Sequence, residues 1–300
     1  MNSLLRLSIT EFWFDPRKKE SEMTVRCSGR CYYIVMLPDK FRDSPAILKQ
    51  YLRDAELNAD KREHYTLYDY LNSETFHYSL LAINDTLISC PEEPVLSQQR
   101  PHGADLQGYE LGAVCHSYQP MQVQICSDHP NSEGVLIELP EKVLVDWRIC
   151  FFKPFGGGER RSALRELECY KRIGDLQCSV MVQVPALCGA VQDNSRCLGL
   201  LLSWVDCRRI TLECALRPST PRAQRQRWAN QLTTTLHHLH NAGIIWGDAK
   251  PANVLVDSND DLWIIDFGGG YTRGWVEKDK AGTIEGDNDG LMKIKDCLLR

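Results

Sequence analysis

The 300-residue sequence has no apolar run that approaches the roughly 18 residues of a membrane-spanning helix. It also has no long cluster of lysine and arginine, and its formal net charge is -5 at pH 7. We therefore expect no binding to nucleic acid or to membrane surfaces. The opening, MNSLLRLSITEFWFD, has too short an apolar run for a signal peptide, which predicts a cytoplasmic globular protein and leaves its oligomeric state open.

The sequence does not indicate a disulfide framework either, although the chain has thirteen cysteines. They are scattered, and several lie in apolar runs such as RICFF and ALCGA. Cys27 and Cys31, in CSGRC, have the spacing of half a metal site, but no matching pair follows. We predict reduced and mostly buried thiols.

The chain is long enough for one to three folded units. Within residues 1–100, CYYIVML (residues 31–37) predicts a buried strand. CPEEPVLSQQRPHGADLQG, residues 90–108, is rich in Pro, Gln and Gly and has no periodicity, so it predicts a linker. From about residue 110 strand patterns come first and helix patterns later, which indicates two lobes with a cleft between them.

Residues 221–242, PRAQRQRWANQLTTTLHHLHNA, predict a long helix. Pro221 suits its start, and Gly243 is expected to end it. Apolar residues at three- and four-residue spacing form one stripe that we expect to be buried: Trp228, Leu232, Leu236 and Leu239.

The next stretch, GIIWGDAKPANVLVDSNDDLWIIDFGGG, contains three short apolar runs that each end in polar residues. Carboxylate and amide oxygens suit Mg²⁺, which is usually held by one or two carboxylates and the phosphates of a substrate. Asn253 and Asp266 are the candidate metal ligands. Asp248 then remains to orient a hydroxyl or accept its proton, and Lys250 to neutralise charge on a moving phosphoryl group.

The combination Asp248-x-Lys250-x-x-Asn253, a short hairpin and Asp266-Phe267-Gly268 resembles the catalytic loop and metal-binding triplet of the protein kinase family. That family has the patterns H-R-D-x-K-x-x-N and D-F-G. The triplet alone is weak, but here it follows Asp248 by 18 residues with apolar strands on both sides. The resemblance covers roughly residues 130–300.

This resemblance implies an α+β, two-lobed protein kinase-like fold in a domain at residues 110–300. Its β-rich N-lobe would span about 130–203, and its α-rich, shortened C-lobe about 206–300. A mixed α/β region of unknown function, residues 1–100, would precede it. ATP and Mg²⁺ are the implied cofactors.

The resemblance also implies a nucleotide site. Lys153, at the end of RICFFK, would bind the ATP phosphates, and Glu166 in ALRELECYKRI would pair with it, with Glu168 as the alternative. LLLSWVD resembles the segment that joins the lobes. In that segment Leu202 would lie at the back of the adenine pocket, and Ser203 to Val205 would offer backbone hydrogen bonds.

Further along, GTIEGDNDGLMKI resembles the start of the large C-lobe helix, whose aspartate, here Asp287, would hold the backbone of the catalytic loop. The style of this segment also resembles fungal kinase-like proteins. Only 20 residues separate Asp266 from Asp287, and they contain no A-P-E. The platform that holds a peptide substrate is thus the least supported part of the resemblance.

Two other departures concern regulation and nucleotide binding. Trp246 and Gly247 stand where the family usually has His and Arg. Trp can replace the histidine in packing, but glycine cannot bind a phosphate, so we predict an enzyme that needs no phosphorylation of its activation loop. The strands before Lys153 lack G-x-G-x-x-G, and Phe151 replaces a small residue over the adenine, so nucleotide binding should be weakened or altered.

Three functions stay open. The favoured function is transfer of the γ-phosphate of Mg-ATP to a hydroxyl group, namely that of a serine or threonine in a protein. The second is a small-molecule phosphotransferase of the aminoglycoside or choline kinase type, which reads H-G-D: Gly247-Asp248 fits it, whereas Lys250 with Pro251 fits the protein kinase branch better. The third is a pseudokinase scaffold, favoured by the missing glycines and Phe151 and opposed by the intact Asp248, Asn253 and Asp266.

Overall fold

The computed structural model describes residues 7–15, 20–27, 30–36, 65–73, 75–83, 86–92, 102–113, 115–126, 136, 139–157, 160–177, 182–208 and 210–299. The strands are β1 (Leu7–Asp15), β2 (Glu20–Cys27), β3 (Arg30–Met36), β4 (Thr75–Ile83), β5 (Thr86–Glu92), β6 (Ala104–Asp105), β7 (Ser117–Tyr118), β8 (Gln124–Ile125), β9 (Lys142–Val145), β10 (Arg148–Pro154), β11 (Leu187–Asp193), β12 (Arg196–Ser203), β13 (Val254–Val256) and β14 (Leu262–Ile264). The helices are α1 (Leu67–Leu71), α2 (Arg160–Gln177), α3 (Leu212–Ala215), α4 (Arg222–Asn241) and α5 (Ile284–Leu299).

The chain divides into two compact units that interleave in sequence. The first comprises Met1–Pro101 and Gln119–Ile149, and the second comprises His102–Tyr118 and Cys150–Arg300. Residues 102–118 thus lie in sequence between the two parts of the first unit but belong to the second.

The first unit is built on a five-stranded sheet with the order β1-β2-β3-β4-β5. Neighbouring strands are antiparallel except for β3 and β4, which run parallel. The strand predicted at residues 31–37 is confirmed as β3, in which Cys31 and Tyr32 are buried. In the same unit, Arg26 is fully buried and its guanidinium lies 3.3 Å from the ring centroid of Tyr70.

The sheet of the second unit has the order β10-β12-β11-β7, and β6 also pairs with β12. β12 is its central strand and is apolar through most of its length, as expected for a strand covered on both faces. Along β10 the burial alternates: Cys150 and Phe152 are buried, whereas Phe151 and Lys153 are only partly covered. This alternation places Lys153 on the opposite face from the core residues of its strand.

Helix α4 confirms the helix predicted at residues 221–242. Its apolar stripe is buried, because residues three and four apart share one face of a helix: Trp228, Leu232, Leu236 and Leu239. Gly243 adopts a left-handed φ of 66°, which other residues adopt at a cost, and the helix ends just before it.

The linker predicted at residues 90–108 is wrong at both ends, because residues 90–92 belong to β5 and the last part is buried. Ala104 and Leu106 are buried in the main core of the second unit, and β6 pairs with β12. Gly103, which looked like a linker glycine, has a φ of 80° and lies against the backbone of Cys197 and Leu198, where a Cβ would clash. The segment lacks periodicity because single short contacts, not a regular element, bury its apolar residues.

The expectation of mostly buried thiols is also wrong. Eleven cysteines have side chains that the structure describes, and all eleven are free, but the only buried ones among them are Cys31, Cys150 and Cys197. Cys214 and Cys297 are exposed. In the part of the chain that the structure describes, no helix is both long and apolar enough to cross a membrane.

Candidate active site

A hairpin brings Asn253 and Asp266 together. β13 and β14 pair in the register Val254 to Ile264, and the Ile265 N–H donates to the Asn253 carbonyl at 3.1 Å. Asn253 and Asp266 therefore lie at the same open end of the hairpin, although twelve residues separate them in sequence. Asp266 adopts a left-handed φ of 68°, a conformation uncommon for residues other than glycine.

Asp248 is buried in the loop before β13, and its two carboxylate oxygens differ. Oδ2 accepts hydrogen bonds from Lys250 Nζ at 2.6 Å and Thr272 Oγ1 at 3.2 Å. Oδ1 is buried and has no hydrogen-bond partner among the residues that the structure describes. Because a buried acceptor without a donor is costly, this oxygen is suited to a donor that a substrate supplies.

The Asn253 side chain forms hydrogen bonds within its own loop. Its Nδ2 donates to the Asp248 backbone carbonyl at 3.0 Å and approaches Asp248 Oδ2 at 3.4 Å. With the amide nitrogen used in this way, the amide oxygen is the atom left to bind a cation. The side chain is 7% exposed, so its orientation is restricted by its surroundings.

Lys153 bridges two carboxylates. Its Nζ lies 2.5 Å from Glu166 Oε1 and 2.9 Å from Asp266 Oδ1. Burial lowers the pKa of Lys153, but the Glu166 and Asp266 carboxylates outweigh that effect and leave the pKa above its ordinary value. Burial raises the pKa of Glu166, and the Lys153 ammonium offsets only part of that shift. Lys153 therefore stays charged at neutral pH.

The structure decides between the two glutamates of α2. Glu166 is 2% exposed and meets Lys153, whereas Glu168 is exposed and accepts a hydrogen bond from the Tyr109 hydroxyl at 2.6 Å. Two positions apart on a helix, they cannot share a face. Glu166 is also bonded by the backbone N–H of Phe267, which links α2 to the residue after Asp266.

Phe267 and Gly268 fix the loop after Asp266 against α2. The Phe267 ring is fully buried and packs edge-on against Tyr170, with ring centroids 5.6 Å apart. Ser162 Oγ donates to the Gly268 carbonyl at 3.1 Å. Together these contacts hold Asp266 beside Lys153.

Asp287 lies in the first turn of α5, and its side chain binds the backbone of the two residues that precede Asp248. Its carboxylate accepts the N–H groups of Trp246 at 2.8 Å and Gly247 at 2.7 Å, the contact that the resemblance implied. His240 Nε2 lies 2.9 Å from the same carboxylate. Trp246 is fully buried, as expected for a packing residue, and its Nε1 donates to the Ile265 carbonyl at 2.9 Å.

Sequence reasoning missed Arg165. This residue of α2 brings its guanidinium against three glycines that all have a left-handed φ: Gly247 (94°), Gly269 (79°) and Gly282 (72°). A Cβ at Gly247 or Gly269 would overlap the guanidinium. Gly247 thus leaves room for an arginine that comes from another element. The only local signal was the glycine itself, and nothing in its neighbourhood pointed to residue 165.

The end of β12 and the residues that follow it are only partly free to bind a ligand. The Ser203 N–H donates to the Ala186 carbonyl at 2.8 Å, so this donor is unavailable for a nucleotide, and the hydrogen bond that the Ser203 carbonyl could offer stays a prediction. Val205 accepts from the Cys207 N–H at 2.8 Å, and the described residues supply no acceptor for its own N–H. Leu202 is buried in the core and pairs across the sheet with Phe151.

The donor set fits Mg²⁺ bound together with phosphates. Asp266 and Asn253 would supply one carboxylate and one amide oxygen, hard ligands that Mg²⁺ prefers. No group of three or more His, Cys, Asp or Glu side chains with metal-binding geometry occurs among the described residues. A magnesium ion here would accordingly take much of its coordination from phosphate oxygens and water.

This arrangement of residues, together with the similarities to known proteins, supports a protein kinase-like domain. The sequence model of the protein kinase domain matches residues 156–285, which include Glu166, Asp248, Asn253 and Asp266. The prediction of a kinase-like, two-lobed α+β fold is therefore confirmed.

Curated relatives agree with that class. The serine/threonine-protein kinase PKH3 of Eremothecium gossypii is 42% identical over 52 residues, which are 17% of this chain and 7% of that protein. The serine/threonine-protein kinase grp of Drosophila melanogaster is 44% identical over 48 residues, 16% of this chain and 9% of that protein. Cyclin-dependent kinase F-1 of Oryza sativa subsp. japonica is 42% identical over 55 residues, 18% of this chain and 12% of that protein.

The chain thus spans about a tenth or less of the length of these relatives. They come from widely different organisms, so kinship with fungal proteins stays a prediction.

Proposed function

We propose that the protein transfers the γ-phosphate of Mg-ATP to a hydroxyl group, with the serine or threonine of a protein as the acceptor. The observation that carries this proposal is the state of Asp248. One of its oxygens is held by Lys250 and Thr272, and the other is buried without a donor among the described residues. A substrate hydroxyl would supply that donor.

The surrounding residues support the same reaction. Lys153, charged and held between Glu166 and Asp266, is suited to bind phosphate oxygens. Asn253 and Asp266 would hold Mg²⁺, which when bound neutralises charge on the phosphates. Asp248 would orient the hydroxyl and accept its proton, and Lys250 would stabilise the charge on the transferred group. The Val205 N–H would bind the adenine.

Thr272 favours an alcohol as acceptor. Its hydroxyl receives a hydrogen bond from Lys250 Nζ at 2.9 Å and donates to Asp248 Oδ2 at 3.2 Å. The same pair of side chains therefore already binds the hydroxyl of a threonine. The names of the relatives, which include serine/threonine-protein kinases, favour a protein acceptor over a small molecule.

The decisive experiment compares wild type with Asp248→Ala in a phosphotransfer screen that offers peptides, aminoglycosides, choline and sugars. We expect peptide phosphorylation by the wild type and a loss of about a hundredfold or more in the variant, the scale of a lost general base. Mg-ATP binding should survive in the variant, because Asp248 is not among the proposed ligands. Turnover that survives the substitution would remove Asp248 from the mechanism.

Two outcomes would favour the other candidate functions. Phosphorylation of a small molecule in place of peptides would identify the second type of phosphotransferase, which Gly247-Asp248 resembles. Nucleotide binding without transfer to any acceptor would identify a scaffold. Phe151, which lies beside Leu202 in the position that predicted a crowded adenine pocket, is the feature of the structure that favours this third function.

A further inference from the structure

Residues 102–118, here named the brace, lie outside every motif discussed above and yet belong to the unit that contains the candidate active site. Both ends of the brace are fixed to strands. Near its start, the Gly103 N–H donates to the Phe155 carbonyl at 3.1 Å, and Arg196 Nε donates to the His102 carbonyl at 2.9 Å. Near its end, β7 runs parallel to β11, and the Ala190 N–H donates to the His116 carbonyl at 2.9 Å.

The middle of the brace contacts helix α2 at two points. Arg160 Nη2 donates to the Gln107 carbonyl at 2.6 Å, and the Tyr109 hydroxyl donates to Glu168 Oε1 at 2.6 Å. Arg160 and Glu168 are eight residues apart, a little more than two helical turns. Glu166, which meets Lys153, lies between these two points in sequence.

The brace also shares a core with the helix. Ala104, Leu106 and Leu111 of the brace are buried in the same apolar cluster as Leu167 and Tyr170 of α2. The Tyr109 ring is partly buried against that cluster. Helix α2 is therefore held from two directions: by Lys153 and the loop after Asp266 through Glu166, and by the brace through Glu168 and Arg160.

We propose that the brace positions helix α2 so that Glu166 meets Lys153, and that Tyr109 and Glu168 are positioning residues for Mg-ATP binding. The proposal rests on the proposed nucleotide site. In this proposal the brace, a segment of the same chain, holds α2 in place. Neither an activating partner nor a phosphate group is then needed to hold the helix.

The first test measures Mg-ATP binding by calorimetry for Tyr109→Phe, which keeps the ring and removes only the hydroxyl. We expect binding to weaken by about 2- to 10-fold, the range of one net hydrogen bond. Glu168→Ala should have a similar effect, and the double variant should be no weaker than either single one, because both remove the same interaction. Glu168→Gln, which keeps an acceptor oxygen, should restore most of the binding.

Tyr68→Phe is the matched control, since Tyr68 is exposed and lies in the first unit. It should bind Mg-ATP like the wild type. The proposal would be overturned if Tyr68→Phe weakened Mg-ATP binding as much as Tyr109→Phe does. It would also be overturned if the effects of Tyr109→Phe and Glu168→Ala on Mg-ATP binding were additive.

The second test separates positioning from general stabilisation and does not depend on nucleotide. Amide hydrogen exchange should become faster in α2 of the Tyr109→Phe variant, with α4 unchanged. Equal acceleration in both helices would show that the brace merely stabilises the whole unit and would overturn the proposal. If the wild type itself binds no Mg-ATP, the proposed function fails. The amide hydrogen exchange of α2 alone then supports or overturns the positioning role of the brace.

Discussion

The chemistry proposed for this protein depends on small differences between neighbouring atoms. In Asp248, Oδ2 is held by Lys250 and Thr272, whereas Oδ1 has no donor among the described residues. In Lys153, one ammonium is shared by Glu166 and Asp266. Each group is thus held by some of its atoms and left available by others, as the proposed phosphoryl transfer requires.

Gly247 is predicted to be sensitive to substitution, because it has a left-handed φ and the Arg165 guanidinium occupies the space of a Cβ at this position. Gly247→Ala should destabilise the protein and reduce activity, both through the strain of a φ of 94° and through displacement of Arg165. Gly274→Ala is a matched control, since Gly274 has the same φ of 94° but no atom lies within 4 Å of the place that its Cβ would take. It should cost only about 1–2 kcal/mol.

Chemical unfolding measures both variants. Because the guanidinium is the flexible end of its side chain, we expect Gly247→Ala to cost only slightly more than the control, and Arg165→Ala combined with Gly247→Ala to remove that difference. If the two glycine substitutions cost the same, strain alone explains the effect and Arg165 plays no part.

The thiols should react according to their burial. Burial raises the pKa of Cys197 to about 12 and that of Cys115 to about 11. Because the thiolate is the nucleophile, at pH 8 only about one in a thousand Cys115 side chains and one in ten thousand Cys197 side chains would be reactive. Iodoacetamide followed by mass spectrometry should modify the exposed Cys214 and Cys297 first. Rapid modification of Cys197 in the native protein would contradict this assignment.

At the scale of elements, the candidate catalytic loop depends on where two helices and a hairpin begin or end. Helix α4 ends just before Gly243, the loop follows, and the hairpin of β13 and β14 returns the chain to Asp266. The first turn of α5 then supplies Asp287, which accepts the N–H groups of Trp246 and Gly247. The loop is thus held at its backbone by an element that comes some forty residues later.

Asp287→Asn should therefore loosen the catalytic loop. The amide can accept at only one atom, so at least one buried donor of the loop loses its acceptor, at a cost of about 1–3 kcal/mol. Asp289→Asn on the same helix is the control: Asp289 is partly exposed and pairs with Lys280, an interaction worth about 0–1 kcal/mol. Denaturant unfolding and steady-state turnover should both be affected by the first substitution and scarcely by the second.

At the scale of the whole molecule, the two units should respond differently to nucleotide. The candidate site lies entirely within the second unit, so Mg-ATP should stabilise that unit and leave the first unchanged. Binding at a hundred times the dissociation constant stabilises by about 2.7 kcal/mol, which calorimetry detects as an upward shift of one melting transition. Because there are two units, a single two-state transition is not assumed.

Asp266→Asn provides the control for that experiment. Loss of the carboxylate should abolish the part of the shift that depends on Mg²⁺, because Asp266 is the only charged member of the proposed ligand pair. An undiminished Mg²⁺-dependent shift in this variant would rule out the metal-binding role of Asp266.

Much of the site could be predicted from short stretches of sequence. The spacing of Asp248, Asn253 and Asp266 led to a hairpin that the structure contains, and the stripe of α4 led to its buried face. These predictions depend on periodicity and on residues close together in the chain. The choice between Glu166 and Glu168 was not local, because it depends on which of them faces β10.

The sequence by itself determined the fold class, the helix α4 and the identity of the polar residues at the strand ends. Only the tertiary structure decided that Arg165 lies against Gly247, that the Ser203 N–H is already used, and that residues 102–118 are not a linker but part of the second unit. The physical reason is the range of the interactions. Periodicity records which face of an element is buried, whereas a guanidinium against a distant glycine leaves no pattern in the neighbouring residues.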